Sequence, residues 1–170
     1  MLVHLYIFGF PLLGSSVSIR RASEGCPYTD EVYTELEIPL SDDEVKLAMK
    51  NLPSGKAASI DGIPYELWKK LHERYKAAQQ QDKPGFNILD LLRRVFNSVE
   101  DNGIEPCTNF NKGWMCPLYK KNDRTEISNY RPITVLNTDY RIMTRALTYC
   151  LAKAAPDIIH PDQAGFMRGR

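Results

Sequence analysis

The chain has 170 residues, of which 43% are hydrophobic and 25% charged, the balance of an ordinary soluble globular protein rather than a disordered one. The net charge of +1 conceals an asymmetry: residues 1–111 hold 12 Lys/Arg against 16 Asp/Glu, and residues 112–170 hold 10 against 5. A basic C-terminal third attracts anions such as phosphates, although an idle, uneven surface charge would look the same.

Residues 1–13 are apolar but too few to span a bilayer. A secretory signal would open on basic residues, and only His4 precedes the apolar run. Residues 15–18 would still supply the small-residue cleavage region of that alternative. The four cysteines, Cys26, Cys107, Cys116 and Cys150, include no C-x-x-C, and no His pair stands near them, which argues against a zinc site. Cys150 falls on an apolar helical face and Cys116 within a strand, so both are expected as buried free thiols. A reducing, intracellular location, nuclear or cytoplasmic, is consistent with that usage.

Ser41-Asp42-Asp43-Glu44 reads as a capping box, with Ser41 at the cap and Glu44 reaching back to its N–H. Val45, Ala48, Met49 and Leu52 follow at helical spacing, and Pro53 predicts the stop. The next segment, up to Ile63, reads as a loop marked by Gly55, Lys56 and Gly62. It lacks the second glycine and the Ser/Thr of a phosphate-cradling P-loop. Pro64 suits a first helical turn, and Leu67, Trp68, Leu71 and Tyr75 form a stripe on which Trp68 reads as core rather than as a base-stacking platform. Residues 76–83 are polar, and Pro84-Gly85 closes them. The clearest helix covers residues 87–102, with Ile88, Leu91, Leu92, Val95, Phe96 and Val99 on one face and Gly103 as its stop. Arg93 and Arg94 read as part of its solvated side, with contact to nucleic acid as the alternative.

Residues 113–137 then read as two strands joined by a polar turn. Trp114 to Tyr119 is apolar and runs into Lys120 and Lys121. The turn is rich in Asn, Asp, Arg, Thr and Ser, and Ile133 and Val135 return on the second strand. Lys120, Lys121, Arg124 and Arg131 surround the tip. Pro117 and Pro132 cannot donate to a ladder and belong on an edge or at a strand start.

Asn137 or Thr138 is positioned to cap a last helix over residues 139–155, closed by Pro156. Met143, Ala146, Leu147, Cys150, Leu151 and Ala154 bury one side of it. Arg141, Arg145 and Lys153 align on another side with Tyr149 between them. Such a stripe suits either a nucleic-acid backbone or ordinary amphipathic packing.

Four blocks stand in order and in register. They are Ser54-Gly55-Lys56-Ala57-Ala58 with Ile60-Asp61-Gly62-Ile63-Pro64; Lys120-Lys121-Asn122-Asp123 with Asn129-Tyr130-Arg131-Pro132-Ile133; Asp139-Tyr140-Arg141-Ile142; and Asp162-Gln163-Ala164-Gly165-Phe166 through Gly169-Arg170. Together they resemble the reverse transcriptases of non-LTR retrotransposons, over roughly residues 36–170. Ser59 departs from the family pattern, which usually has a glycine or small residue there, and so raises a question about the local backbone. Residues 1–27 match none of the blocks, and Tyr28-Thr29-Asp30-Glu31 reads as a decoy for the Y-x-D-D signature. The expected organisation is a non-homologous, poorly ordered segment over residues 1–30, followed by an incomplete reverse transcriptase domain over residues 31–170.

The resemblance implies an α+β fold, mostly helical, with a small antiparallel hairpin or sheet: the fingers and the start of the palm of a right-hand polymerase. It places Lys120 or Lys121 and Arg131 by the triphosphate of an incoming deoxynucleotide. Arg131 as a salt bridge anchoring the hairpin is the competing reading. Gln163, Arg168 and Arg170 are implied near the template–primer track, where Arg141 and Arg145 would join them. The partners so implied are an RNA template, a DNA primer and deoxynucleoside triphosphates. Nucleotide addition in this family uses Mg2+ ions held by carboxylates. Those carboxylates belong downstream of the last block, and Asp139, Asp157 and Asp162 stand in other contexts. No catalytic residue and no bound metal are therefore expected. The implied function is that of a fragment of an RNA-directed DNA polymerase, inactive alone, or else of a domesticated nucleic-acid-binding or interaction module.

Overall fold

A computed structural model describes residues 2–4 and 38–158. About half of these lie in α1 (Asp42–Lys50), α2 (Tyr65–Gln80), α3 (Ile88–Asn102) and α4 (Thr138–Ile158). The strands β1 (Leu2–His4), β2 (Lys112–Tyr119) and β3 (Tyr130–Leu136) form one antiparallel sheet in that order. The class is α+β, as expected, but helices make up about half of the described residues rather than most of them. Among the described residues, no helix is long and apolar enough to cross a membrane.

The chain enters α1 through the capping box that its sequence predicts. Glu44 N–H donates to Ser41 Oγ at 3.3 Å, and Ser41 N–H donates to Glu44 Oε2 at 3.0 Å. Glu44 also reaches across the fold. Its second oxygen accepts from Cys150 Sγ at 3.3 Å and from Lys153 Nζ at 3.4 Å, both on α4. One carboxylate thus holds the start of α1 against the second half of α4. On the opposite side, the amide of Asn97 in α3 grips Leu40 twice. Asn97 Oδ1 accepts from Leu40 N–H at 2.8 Å, and Nδ2 donates to Leu40 O at 3.1 Å.

These bonds frame an apolar seam centred on α1. Leu40, Val45, Ala48, Met49 and Leu52 join Ile88, Leu89, Leu92 and Phe96 of α3 and Ile142, Met143 and Ala146 of α4. Val45, Phe96 and Ile142 are fully buried, each worth roughly 1.5–3 kcal/mol relative to exposure. The surface ion pairs are weaker. Lys70–Glu73 and Arg94–Asp90 are mostly exposed, and such pairs contribute about 0–1 kcal/mol. Burial therefore decides how the helices assemble.

Helix α2 lies against the seam through Tyr65, which is buried, with Trp68 and Leu71 packed at its margin. Trp68 is half-buried and packs against the core rather than standing open as a stacking platform, and its Nε1–H donates to Thr138 Oγ1 at 2.7 Å. Leu67 of the predicted stripe is exposed, as is Val95 on α3. The buried face of α2 is rotated towards Tyr65, Trp68 and His72. Both ring nitrogens of His72 are buried without a partner among the described residues, and burial lowers its pKa, with Lys76 and Lys46 adding to the shift.

The hairpin of β2 and β3 is fastened at its base. Asn137 and Thr138, where β3 gives way to α4, are the buried polar residues among those described. Asn137 Nδ2 donates to Asn109 O at 2.9 Å, closing the neck between the chain entering β2 and the chain leaving β3. Thr138 Oγ1 donates to Ile63 O at 3.1 Å while accepting from Trp68. Ser59 Oγ donates to Val135 O at 2.6 Å. Phe110 meets Tyr140 edge-on at 5.4 Å and Phe96 at 6.5 Å, linking the neck to the seam. Gly113 is obligatory here: a Cβ would stand 2.5 Å from Thr134 Cγ2 and 3.1 Å from Val135 O.

Several local expectations are corrected. Helix α1 ends at Lys50 rather than Leu52, although Leu52 remains buried. Helix α4 runs through Pro156 to Ile158, because a proline so near a helix end removes only one terminal bond. Cys116 and Cys150 are half-buried rather than buried. Cys150 donates to a carboxylate instead of sitting in purely apolar surroundings, and burial with that bond pushes its pKa up to about 11. The loop before α2 meets its left-handed backbone needs at Gly55 and Gly62, with Ser59 not among the positive-φ residues. The amide of Gly55 donates to Glu66 Oε1 at 2.6 Å, so that donor is already satisfied. Cys26 and residues 28–31 lie outside the described residues.

Two carboxylates predict opposite responses to pH. Burial opposes ionisation of Glu44, but the Ser41 amide, the Cys150 thiol, the Ser41 hydroxyl and Lys153 together hold its pKa below the ordinary value. Its stabilisation is present above the unfolded pKa and is lost as pH falls through the folded one. Glu44→Ala should cost about 1–3 kcal/mol near neutral pH, measured by urea denaturation, with the deficit shrinking in acid. Asp139 is the reverse case. Burial, with the nearby Asp61 charge, raises its pKa against the Tyr140 amide bond at 2.7 Å. The stability it gives is complete below the unfolded pKa and is lost as pH rises through the folded one. Asp139→Asn should therefore raise the Tm near neutral pH and leave it unchanged in acid.

Candidate nucleic-acid interface

Beyond its neck the hairpin projects with little cover. The register pairs Trp114 with Val135, Cys116 with Ile133 and Leu118 with Arg131, and residues opposite one another share a face. On this face Trp114 is 63% exposed, Leu118 54% and Ile133 43%. The other face carries Gly113 with Leu136, Met115 with Thr134, Pro117 with Pro132, and Tyr119 with Tyr130. Lys120 N–H donates to Asn129 O at 2.9 Å. Counting back from that bond leaves Pro117 and Pro132 opposite each other at a position without cross-strand amide bonds, where a missing N–H costs nothing.

The tip is a tied loop. Asn122 adopts a left-handed backbone with φ of 68°, a conformation that Asn tolerates better than most residues. Tyr119 Oη donates to Asn122 O at 2.6 Å, and Tyr130 Oη donates to Arg124 O at 2.8 Å. The two rings meet edge-on at 5.7 Å. Asn129 Nδ2 donates to Asp123 O at 2.8 Å. The amide and then the hydroxyl of Thr125 donate to Asp123 Oδ1 and hold that carboxyl below its ordinary pKa. Of the two acids in the tip loop, Asp123 is thereby turned inward, while Glu126 is exposed.

The cations are turned outward. Lys120, Lys121 and Arg131 are exposed, and their side chains make no ion pair or hydrogen bond among the described residues. The salt bridge that would have anchored the hairpin through Arg131 is absent there. Arg131 instead stands on the Trp114–Leu118–Ile133 face, and Lys120 follows Leu118 on the same alternation. Arg124 lies over the Tyr119 ring at 4.7 Å, a cation–π contact. Sequence reasoning did not single out Trp114 or the Tyr119–Tyr130 pair. The alternation of Trp114, Cys116 and Leu118 was the available signal, but it does not tell a covered face from an open one.

The stripe on α4 is divided. Lys153 is taken by Glu44, and Arg145 Nη1 donates to Asn51 O at 3.2 Å. Tyr149 Oη accepts from Asn51 Nδ2 at 2.9 Å. The Arg141 side chain makes no bond among the described residues. Arg93 pairs with Asp42 at 2.8 Å and Asp90 at 2.7 Å, and the bonds to Asp90 and Asp42 raise its pKa. Gln163, Arg168 and Arg170 lie outside the described residues.

Among the described residues, no three His, Cys, Asp or Glu side chains converge as metal ligands would. Asp61 and Asp139 are near enough to feel each other's charge, but Asp61 Oδ1 accepts from Ile63 N–H at 3.0 Å and Asp139 Oδ1 from Tyr140 N–H. This pair does not make the donor set that Mg2+ would need.

No protein-family model matches the chain. The chain is similar to the uncharacterized 149 kDa protein of Transposon TX1 from Xenopus laevis, with 29% identity over 148 residues. The match covers 86% of this chain and 10% of that protein. The chain therefore spans about a tenth of the length of the curated relative it matches. That similarity links the sequence to a transposon-encoded protein.

Proposed function

We propose that the chain is the fingers portion, with the start of the palm, of a reverse transcriptase of non-LTR retrotransposon type. Its role is to contact nucleic acid and the triphosphate of an incoming deoxynucleotide. The observation that carries this reading is the outward hairpin. Lys120, Lys121 and Arg131 lack acidic partners among the described residues and stand with an exposed Trp114. Phosphates attract such cations, and an open indole offers a base a surface to stack on. Arg131 grips phosphate oxygens through its planar fork, and the lysines act as point charges. The similarity to a transposon protein supports the same origin.

A second reading is a domesticated binding module without catalysis. Both readings predict binding, and neither predicts synthesis by this chain alone: the Mg2+-dependent polymerisation of the complete family enzyme needs carboxylates that the described residues do not bring together.

The test is fluorescence anisotropy of the full chain with a labelled RNA–DNA template–primer. Affinity should fall steeply between roughly 50 and 200 mM salt. Arg131→Ala should weaken binding about tenfold and lower the salt slope by about one. Binding that ignores both salt and Arg131→Ala would contradict the phosphate-contact reading.

A further inference from the structure

We propose that a second site, distinct from the hairpin, binds a phosphate group in a shallow cleft between the end of α1 and one face of α4. The cleft is open to solvent, has a volume of about 400 Å3 and is lined by Leu52, Arg141, Thr144, Arg145, Thr148 and Tyr149. It contains two guanidinium groups one helical turn apart and no carboxylate. Arg141 is half-buried, and its side chain has no partner among the described residues. Arg145 spends one nitrogen on Asn51 O and keeps the others.

The geometry of the remaining groups favours an anion. Asn51 terminates α1, its N–H bonded to Leu47 O. From this fixed point its carbonyl orients Arg145, and its Nδ2 donates to Tyr149 Oη. Tyr149 accepts there, so its own hydroxyl proton is free to donate into the cleft. The threonine protons are already given to helix carbonyls, Thr144 to Arg141 O at 3.3 Å and Thr148 to Thr144 O at 2.7 Å. The available donors are therefore Arg141, Arg145 and Tyr149. Two forks and a hydroxyl without a counter-charge match a tetrahedral oxyanion. Asn51 is a positioning residue that holds two of the three donors. The phosphate is a nucleic-acid backbone phosphate where the reading above holds, or a free phosphate ester where it does not.

The experiment is a pair of 1H–15N titrations of the full chain, one with sodium phosphate and one with a short single-stranded DNA, against sodium chloride of equal ionic strength. Phosphate should move the resonances of residues 141–149 and chloride should not. Arg141→Gln should weaken the effect about tenfold, and Tyr149→Phe several-fold. The Arg141 side chain makes no hydrogen bond or ion pair among the described residues, so its variant should keep the wild-type Tm. Movement with both ligands supports a backbone phosphate. Movement with phosphate alone supports the cleft and counts against the nucleic-acid reading. Arg131-dependent DNA binding with residues 141–149 unmoved by either ligand overturns the cleft and leaves the hairpin reading standing. An equal response to chloride also overturns it.

Discussion

The junction of Asn137 and Thr138 is the constraint on which the hairpin depends. These two polar residues are buried where a strand turns into a helix, and buried polar groups are costly without partners. Asn137 closes the neck on Asn109, and Thr138 joins Ile63 on one side to Trp68 on the other. The loop before α2, α2 itself, the hairpin and α4 therefore meet at one place. Loss of the Thr138 hydroxyl would strand the Trp68 Nε1–H and the Ile63 carbonyl, which costs more than the bonds themselves contribute. The hairpin can then project while its base stays in the fold.

The helices provide the matching rigidity below. Helix α1 carries the centre of the seam, and its ends are held by different partners. Glu44 takes its beginning to Cys150 and Lys153, while Asn51 takes its end to Arg145 and Tyr149. Charges within reach of an acid are used structurally: Arg93 with Asp42 and Asp90, Lys153 with Glu44. Among the described residues, Arg141 on α4 and Lys120, Lys121 and Arg131 on the hairpin have no such partner, and neither do scattered surface cations such as Lys46, Lys50 and Arg74. What sets the hairpin cations apart is that three of them cluster beside the exposed Trp114 face.

Local signals were legible wherever their cause lies within a few residues. Ser41 and Glu44 announce a capping box, Asn87 and Gly103 delimit α3, and the polar turn between Tyr119 and Tyr130 gives the hairpin. The long-range bonds were not legible. Ser59 reaches Val135, Asn97 reaches Leu40 and Glu44 reaches Cys150, and nothing in a short window specifies such pairs. The rotation of α2 that buries Tyr65 and leaves Leu67 exposed is likewise set by the helices it meets. At the candidate interface the cations could be named from sequence. Their freedom from partners, and the openness of the Trp114 face, needed the fold.

The central claim is that nucleic acid meets the outer part of the hairpin. It is tested most directly by photo-crosslinking the full chain to an oligonucleotide with photoreactive bases and mapping the adducts by mass spectrometry. The account predicts adducts on β2 and β3, at Trp114, the tip and the Arg131 strand. Adducts confined to the outer faces of α2 and α3, with the hairpin unlabelled, would contradict it.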